Sequence, residues 1–235
     1  MIFDPPLIPA VLVRRYKRFL ADVILPDGRE VTAHCANPGR MIGVAQAGAK
    51  IWLQPSTNPK RKLHWSWMLT ELEDGQLSGI DTNLPNRIVA EALHECQIEA
   101  LTAWSGIRPE VRYAERSRVD FLLSEPDQPD LYLEVKNVHL RREGTLAEFP
   151  DCVTDRGARH LGDLMQMVAE GHRATMLYIV QRTDCDSVGF AADLDPTYTA
   201  KVAQAAAAGV QLIARATQIS TQGITLGRAL PVILR

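Results

Sequence analysis

Near residue 83 the hydrophobic pattern of the chain changes period, and this limits the available folds more than any other feature of the sequence. Up to that point apolar residues alternate or come in short runs broken by turns. Stretches 19–25 and 30–36 flank Pro26-Asp27-Gly28, where proline presets φ and glycine accepts a positive φ cheaply. A short strand is expected over 50–53. Over 63–70 the side chains alternate, with Leu63, Trp65, Trp67 and Leu69 on one face and His64, Ser66, Met68 and Thr70 on the other. Glu73-Asp74-Gly75 then turns the chain into a strand over 76–80. Short strands with glycine turns and little helical period predict a small β-barrel over residues 1–83.

Beyond Asn83 a helical period takes over. Pro85 suits a helix start, and Ile88, Val89, Ala92, Leu93 and Cys96 keep a 3.6-residue repeat to about Trp104. Strands are expected over 110–114, 118–123 and 131–138. A helix over 156–170 follows, with Leu161, Leu164, Met165 and Val168 on one stripe and Gly171 as its C-cap. A strand over 174–181, a helix from Pro196 to Gly209 and a strand over 211–216 complete the order. Helices interleaved with strands in this way predict an α/β domain with a mixed sheet over residues 84–235.

Charge excludes a histone-like binder but permits local patches. Residues 1–83 hold 10 Lys/Arg against 8 Asp/Glu, and residues 84–235 hold 16 against 20, so the carboxylates gather in the second part. Cys35, Cys96, Cys152 and Cys185 are scattered without a C-x-x-C pair, as expected of reduced thiols in a cytoplasmic protein. Pro5, Pro6 and Pro9 break the first apolar stretch, which does not read as a signal peptide. The apolar run 174–180 falls far short of the ~20 residues of a membrane span. A soluble, cytoplasmic protein without a membrane partner is expected.

The densest chemistry lies in Ser117-Arg118-Val119-Asp120-Phe121 and Leu131-Tyr132-Leu133-Glu134-Val135-Lys136. On a strand Glu134 and Lys136 share a face, and a hairpin can bring Asp120 beside Glu134. Two adjacent carboxylates repel, and a hard divalent cation such as Mg²⁺ or Mn²⁺ relieves that repulsion. A lysine two residues on can orient a water or offset negative charge on a phosphorane. Glu91, on the preceding helix, is a further candidate for this centre. Glu-x-Lys alone is usually a solvated ion-pair stripe; the apolar flanks and the additional acids are what favour phosphodiester hydrolysis here.

Phosphate-binding candidates fall in three runs. Arg14, Arg15, Lys17 and Arg18 interleave with Tyr16 and Phe19. Lys60, Arg61 and Lys62 lead into His64, Trp65 and Trp67. Arg156, Arg159 and His160 accompany Thr154 and Gly157 at a helix start. The tryptophans themselves read better as barrel core than as stacking platforms.

The chain resembles the sugar fermentation stimulation protein (SfsA) family along nearly its whole length. The resemblance rests on Asn37-Pro38-Gly39-Arg40-Met41, Leu84-Pro85-Asn86 with Glu91-Ala92-Leu93, and Ser117-Arg118-Val119-Asp120-Phe121. It extends through Glu134-Val135-Lys136-Asn137-Val138, Phe149-Pro150-Asp151 with Thr154, Arg156-Gly157 and His160-Leu161, and Val180-Gln181-Arg182. It implies an N-terminal OB-like barrel and a C-terminal domain similar to the PD-(D/E)xK nuclease fold. It also implies DNA binding with little sequence preference and a link to regulation of sugar (maltose) utilisation. The metal ligands of that fold would map onto Asp120 and Glu134, its lysine onto Lys136 and its helix acid onto Glu91, with Arg40 joining the DNA-binding set. Val119 stands where the fold carries proline. Two readings remain: a metal-dependent nuclease with a separate DNA grip, and a non-catalytic DNA-binding regulator. Composition does not separate DNA from RNA.

Overall fold

The computed structural model describes residues 1–114 and 117–234. Its first part is built from β1 (Ile8–Tyr16), β2 (Leu20–Ile24), β3 (Glu30–His34), β4 (Lys50–Pro55), β5 (Trp65–Glu71) and β6 (Leu77–Gly79). β1 pairs with both β2 and β4, β3 continues from β2, β5 continues from β4, and the parallel bridge His34↔Ser66 joins β3 to β5. Five strands thereby close into a barrel, with β6 added on β5. Closure removes the sheet edges. Leu12, Val23, Ala33, Ile51, Leu53 and Trp67 fill the interior, capped by Met41 and Ile80.

The expected alternation in β5 fails halfway. Trp52 pairs with Leu69 but Leu53 pairs with Trp67, so Met68 is an extra residue in the ladder. Such a bulge flips the facing of everything after it. Trp67 stays in the barrel core, whereas Met68 and Leu69 pack against Leu84 and Ile88 in a second core.

The second part opens with α1 (Leu84–His94), which ends about ten residues before the sequence pattern predicts. Cys96 takes φ 53°, and its N–H and that of Gln97 return to the carbonyls of Leu93 and Ala92. Ile98 and Leu101 prolong the apolar period only because a separate short turn buries them in the same core.

The main sheet comprises β7 (Gly106–Tyr113), β8 (Ser117–Ser124), β9 (Leu131–Val138), β12 (Arg173–Val180), β14 (Gln211–Ile219) and β15 (Ile224–Leu230), in the order β15-β14-β12-β9-β8-β7. β9, β12 and β14 run parallel, and the outer pairings are antiparallel. The crossover from β9 to β12 carries α2 (Asp155–Ala169), and that from β12 to β14 carries α3 (Pro196–Ala207). Thr154 caps α2 through Gly157 N–H, and Asp195 caps α3 through Tyr198 N–H. α1 covers one face of the sheet; α2 and α3 cover the other. β10 (Leu140–Arg141), β11 (Leu146–Phe149) and β13 (Ser187–Phe190) make a small separate sheet, each strand too short for a periodic signal. Among the described residues no helix is long and apolar enough to cross a membrane.

The two parts share a stiff junction. Gly79 N–H and Ser78 Oγ donate to Gln181 O, and Thr183 N–H donates to Leu77 O, so β6 is hydrogen-bonded to the chain leaving β12. The N-terminal segment crosses to β15 through Ile2↔Gly223, and Phe3, Leu7, Met68, Leu84, Ile88 and Ile224 form one core between the parts. A Cβ on Gly79 would clash with the Gln181 side chain, which is buried and could move only by disturbing its hydrogen bonds to Asp81 O and Asn137 Oδ1. Gly79→Ala is therefore predicted to destabilise by about 1–3 kcal/mol, the usual cost of overpacking. A urea unfolding midpoint unchanged from wild type would show that the junction yields.

A carboxylate centre beside an interdomain cleft

β8 and β9 pair through Leu123↔Leu131, Leu122↔Tyr132 and Phe121↔Leu133, and the ladder stops there. The N–H of Val135, left without a strand partner, is taken instead by Asp120 Oδ2 at 2.7 Å. Asn86 Nδ2, from the first turn of α1, donates to Asp120 Oδ1 at 2.7 Å. Across β8, Glu110 adopts φ 54°, and the register with β7 skips the pair that would include Asp120. The strand also rolls over here. Val119 packs with Tyr113 and Met167 below α2, whereas Phe121, two residues on, packs with Val89 and Ala92 below α1. Asp120 thus sits where β8 parts from both neighbours, a local departure of the kind concentrated at functional sites.

Glu134 is buried, with 3% exposure, on a central strand covered on both sides. Its Oε1 accepts from Lys136 Nζ at 2.6 Å and from His160 Nδ1 on α2. Arg156 Nε donates to His160 Nε2 at 3.3 Å, which leaves the proton on Nδ1, facing Glu134. With Glu134 buried and the Lys136 side chain only 14% exposed, the pair is not a solvated ion-pair stripe. The other oxygen, Glu134 Oε2, is buried with no hydrogen-bond partner. A buried carboxylate oxygen without a donor costs free energy that a cation would recover.

The two acids ionise unequally. Burial and then the Glu134 charge push Asp120 up to about 6. Burial also opposes ionisation of Glu134, but the Lys136 ammonium and the His160 N–H outweigh it and hold that carboxyl below its ordinary value. Among the described residues no third His, Cys, Asp or Glu completes a ligand cluster. Two carboxylates with the remaining positions left to water suit Mg²⁺ or Mn²⁺, which keep several waters, better than a closed zinc site. The donors present therefore fit the expected ion.

Glu91 does not join this centre. It lies about 140° around α1 from Asn86 at 100° per residue, its side chain is half exposed, and it pairs with the Met1 ammonium at 2.8 Å. The α1 residue that reaches Asp120 is Asn86, whose block was legible in the sequence but carried no assigned chemistry.

The basic candidates divide between structural bonds and open clefts. Arg14 pairs with Asp22 at 2.9 Å beside the Tyr16 ring. Arg15 donates to the carbonyls of Arg18, Asn37 and Gly39, clamping the β1–β2 turn to the 37–41 loop. Lys17 and Arg18 form the exposed tip of that turn, at φ 47° and 62°. Lys60, Arg61 and Lys62 lie in the β4–β5 loop, where the charge of Arg61 reaches His34 on β3.

Arg18 and Arg40 line a cleft of ≈ 910 Å³ between the two parts, with Asn137, His139, Asp151, Val153 and Thr154 opposite. Beneath it runs a polar chain that the sequence did not single out. Gln181 Nε2 donates to Asp81 O and Asn137 Oδ1; Asn137 Nδ2 faces His139 Nδ1 at 3.1 Å; His139 Nε2 lies 3.3 Å from Asp151 Oδ2. Asp151 in turn accepts from Met41 N–H of the barrel. Burial raises Asp151, but His139, Met41 N–H and the Cys152 thiol outweigh it and hold it at about 2. A second cleft, of ≈ 670 Å³, opens on the other side of the α2 start, where Arg156, Arg159 and His160 meet β7 and β8.

Two family models match, one described as the sugar fermentation stimulation protein RE domain over residues 83–223 and one as the SfsA N-terminal OB domain over residues 13–80. The chain belongs to the sugar fermentation stimulation protein family. The homologue from Jannaschia sp. (strain CCS1) is 57% identical over 99% of this chain and 97% of its own length. That from Roseobacter denitrificans is 52% identical, with full coverage of both chains. A solved structure described as Pyrococcus furiosus SfsA in complex with Ca²⁺ superposes with a TM-score of 0.89 at 26% identity, covering 99% of each chain. The family places an OB domain first, in agreement with the closed barrel and the mixed-sheet domain that follows it.

The raised ionisation of Asp120 has a consequence for stability. Between the ordinary carboxylate value of 3.8 and about 6 the folded chain binds more protons at this position than the unfolded chain does. Stability therefore falls as pH rises through that window, and above it the penalty is fully present, on the order of 3 kcal/mol. Asp120→Asn is predicted to be more stable than wild type at pH 7 without divalent ions, and to lose that advantage near pH 4. Urea midpoints at the two pH values measure this, and an advantage independent of pH would contradict it.

Proposed function

We propose that the chain is a DNA-binding protein with little sequence preference whose second domain is a divalent-metal-dependent nuclease-type centre. The observation that carries this reading is the unpartnered, buried Glu134 Oε2 beside Asp120, with Lys136 bound to the other Glu134 oxygen. Ca²⁺ in the Pyrococcus furiosus relative supports a hard-cation site.

In this reading Asp120 and Glu134 hold Mg²⁺ or Mn²⁺, which supplies Lewis acidity at a phosphodiester oxygen and a more acidic water. Asn86 and the Val135 N–H fix Asp120; His160, oriented by Arg156, fixes Glu134. Lys136 offers its remaining N–H groups to the attacking water or to the charge that develops on phosphorus. The interdomain cleft supplies the grip. Arg18 and Arg40 stand on its barrel side, and Lys17, Lys60, Arg61 and Lys62 are further basic residues of the barrel loops, outside the cleft lining. Phosphate contacts of this sort bind without reading bases.

The test uses purified wild type and Lys136→Ala with single-stranded, duplex and branched DNA. Binding is measured in Ca²⁺ and cleavage in Mg²⁺ or Mn²⁺. The expected outcome is a cleavage loss of about 10²-fold or more in the variant, with DNA affinity largely retained. Binding by wild type without cleavage of any substrate would instead favour a non-catalytic regulator of sugar metabolism, consistent with the family's name. Arg18→Ala combined with Arg40→Ala should weaken binding to all sequences alike. It should also flatten the log–log salt dependence by about 1–2 units if each arginine neutralises one phosphate; an unchanged slope would remove these residues from the grip.

A further inference from the structure

The second cleft carries more positive charge than a passing phosphodiester requires. Its walls bring Arg112 of β7, Arg118 of β8 and Arg156 and Arg159 of α2 around one cavity of ≈ 670 Å³. Two of these placements are unfavourable by themselves. Arg112 and Arg118 are direct cross-strand partners, and like charges in that relation are destabilising. Arg156 and Arg159 occupy the first turns of α2, where the positive end of the helix dipole disfavours cations. Among the described residues the one carboxylate in the lining is Glu110, whose Oε2 lies 4.0 Å from Arg118.

The floor is built and buried. Ser117, 6% exposed, donates its hydroxyl to Asp163 on α2, and His160, 2% exposed, connects Arg156 to Glu134. An anion seated on this floor therefore lies one side chain away from the carboxylate centre. Ala114 and Ser117 place the cleft at the turn end of the β7–β8 hairpin, away from the interdomain cleft on the far side of the α2 start.

We infer that the arginine cleft binds the terminal phosphate of a nucleic-acid strand and so favours strands with a phosphorylated end. The inference rests on the nucleic-acid reading above and narrows its substrate. An internal phosphodiester carries one negative charge, whereas a terminal phosphomonoester carries about −1.5 to −2 near neutral pH and three acceptor oxygens, which suit several guanidinium groups. Such a ligand offsets both the cross-strand repulsion and the misplaced helix-start cations.

The experiment measures binding in Ca²⁺ by anisotropy, with one single-stranded sequence prepared in four forms: 5′-phosphate, 3′-phosphate, hydroxyl at both ends, and circular. Wild type is expected to bind one phosphorylated form at least tenfold more tightly than the hydroxyl-ended form, and the two phosphorylated arms decide which end is held. Arg112→Gln combined with Arg118→Gln should abolish that preference while leaving circular DNA affinity unchanged. Since the substitution removes an opposed like-charge pair, its urea midpoint should equal or exceed that of wild type, so loss of preference is not loss of fold. Equal wild-type affinity for all four forms would overturn the inference, as would a variant that loses circular and phosphorylated DNA alike. Cleavage of the same four forms in Mn²⁺ is scored separately. An end preference without cleavage leaves this inference standing and removes the nuclease reading, and cleavage without an end preference does the reverse.

Discussion

The second domain is organised around the cost of burying Glu134. A carboxylate removed from water is tolerated only where neighbouring groups replace its solvation, and here the replacement covers one oxygen and leaves the other bare. Lys136 comes from the same strand, His160 from the crossover helix, and Arg156, one turn earlier, settles the His160 tautomer. Asp120, on the adjacent strand, adds repulsion where its own charge is hardest to carry, and its ionisation moves up accordingly. Two neighbouring acids are thereby left in different states of ionisation, Asp120 raised and Glu134 lowered.

The backbone makes this possible by giving up regular structure at a single place. The β8–β9 ladder ends at Phe121↔Leu133, Glu110 turns left-handed opposite Asp120, and the core packing of β8 changes sides there. Asp120 then serves as a substitute acceptor for the strand N–H that the ladder abandons. Val119, at the position where the related nuclease fold has proline, is fully buried beside Tyr113 and Met167. On its other side β8 loses only the pair opposite Glu110 and pairs again with β7 from Val111↔Val119 onwards.

What was legible in the sequence follows from range. The β2–β3 turn, the strands around Asp120 and Glu134 and the helix carrying His160 were readable because their patterns are local and several residues long. Glu91 was misplaced because period identifies a helix but not which of its faces meets a strand thirty residues on; Asn86 faces the strand and Glu91 faces the N-terminus. The Met68 bulge cannot be seen in β5 alone, because it exists only in the pairing with β4. Basic runs overstate phosphate binding for a similar reason. Arg14 and Arg15 belong to the densest run in the chain, yet Asp22 engages one and three backbone carbonyls engage the other. The Gln181–Asn137–His139–Asp151 chain joins residues spread over 44 positions, and no spacing rule announces it.

One strand connects the interdomain cleft and the carboxylate centre. Along β9 and just beyond it, Glu134 and Lys136 turn towards α2, Asn137 turns towards Gln181 at the barrel junction, and His139 reaches the cleft wall at Asp151. The step from Lys136 to Asn137 is a single peptide unit in a strand paired along its whole length with β12. No loop intervenes to act as a hinge. The barrel is bound to the same frame by β6, by the N-terminal segment on β15 and by Met41 on Asp151. A strand of nucleic acid held in the interdomain cleft would thus be registered against the carboxylates by covalent geometry and ladder hydrogen bonds. Such a frame requires no domain closure to bring the two together.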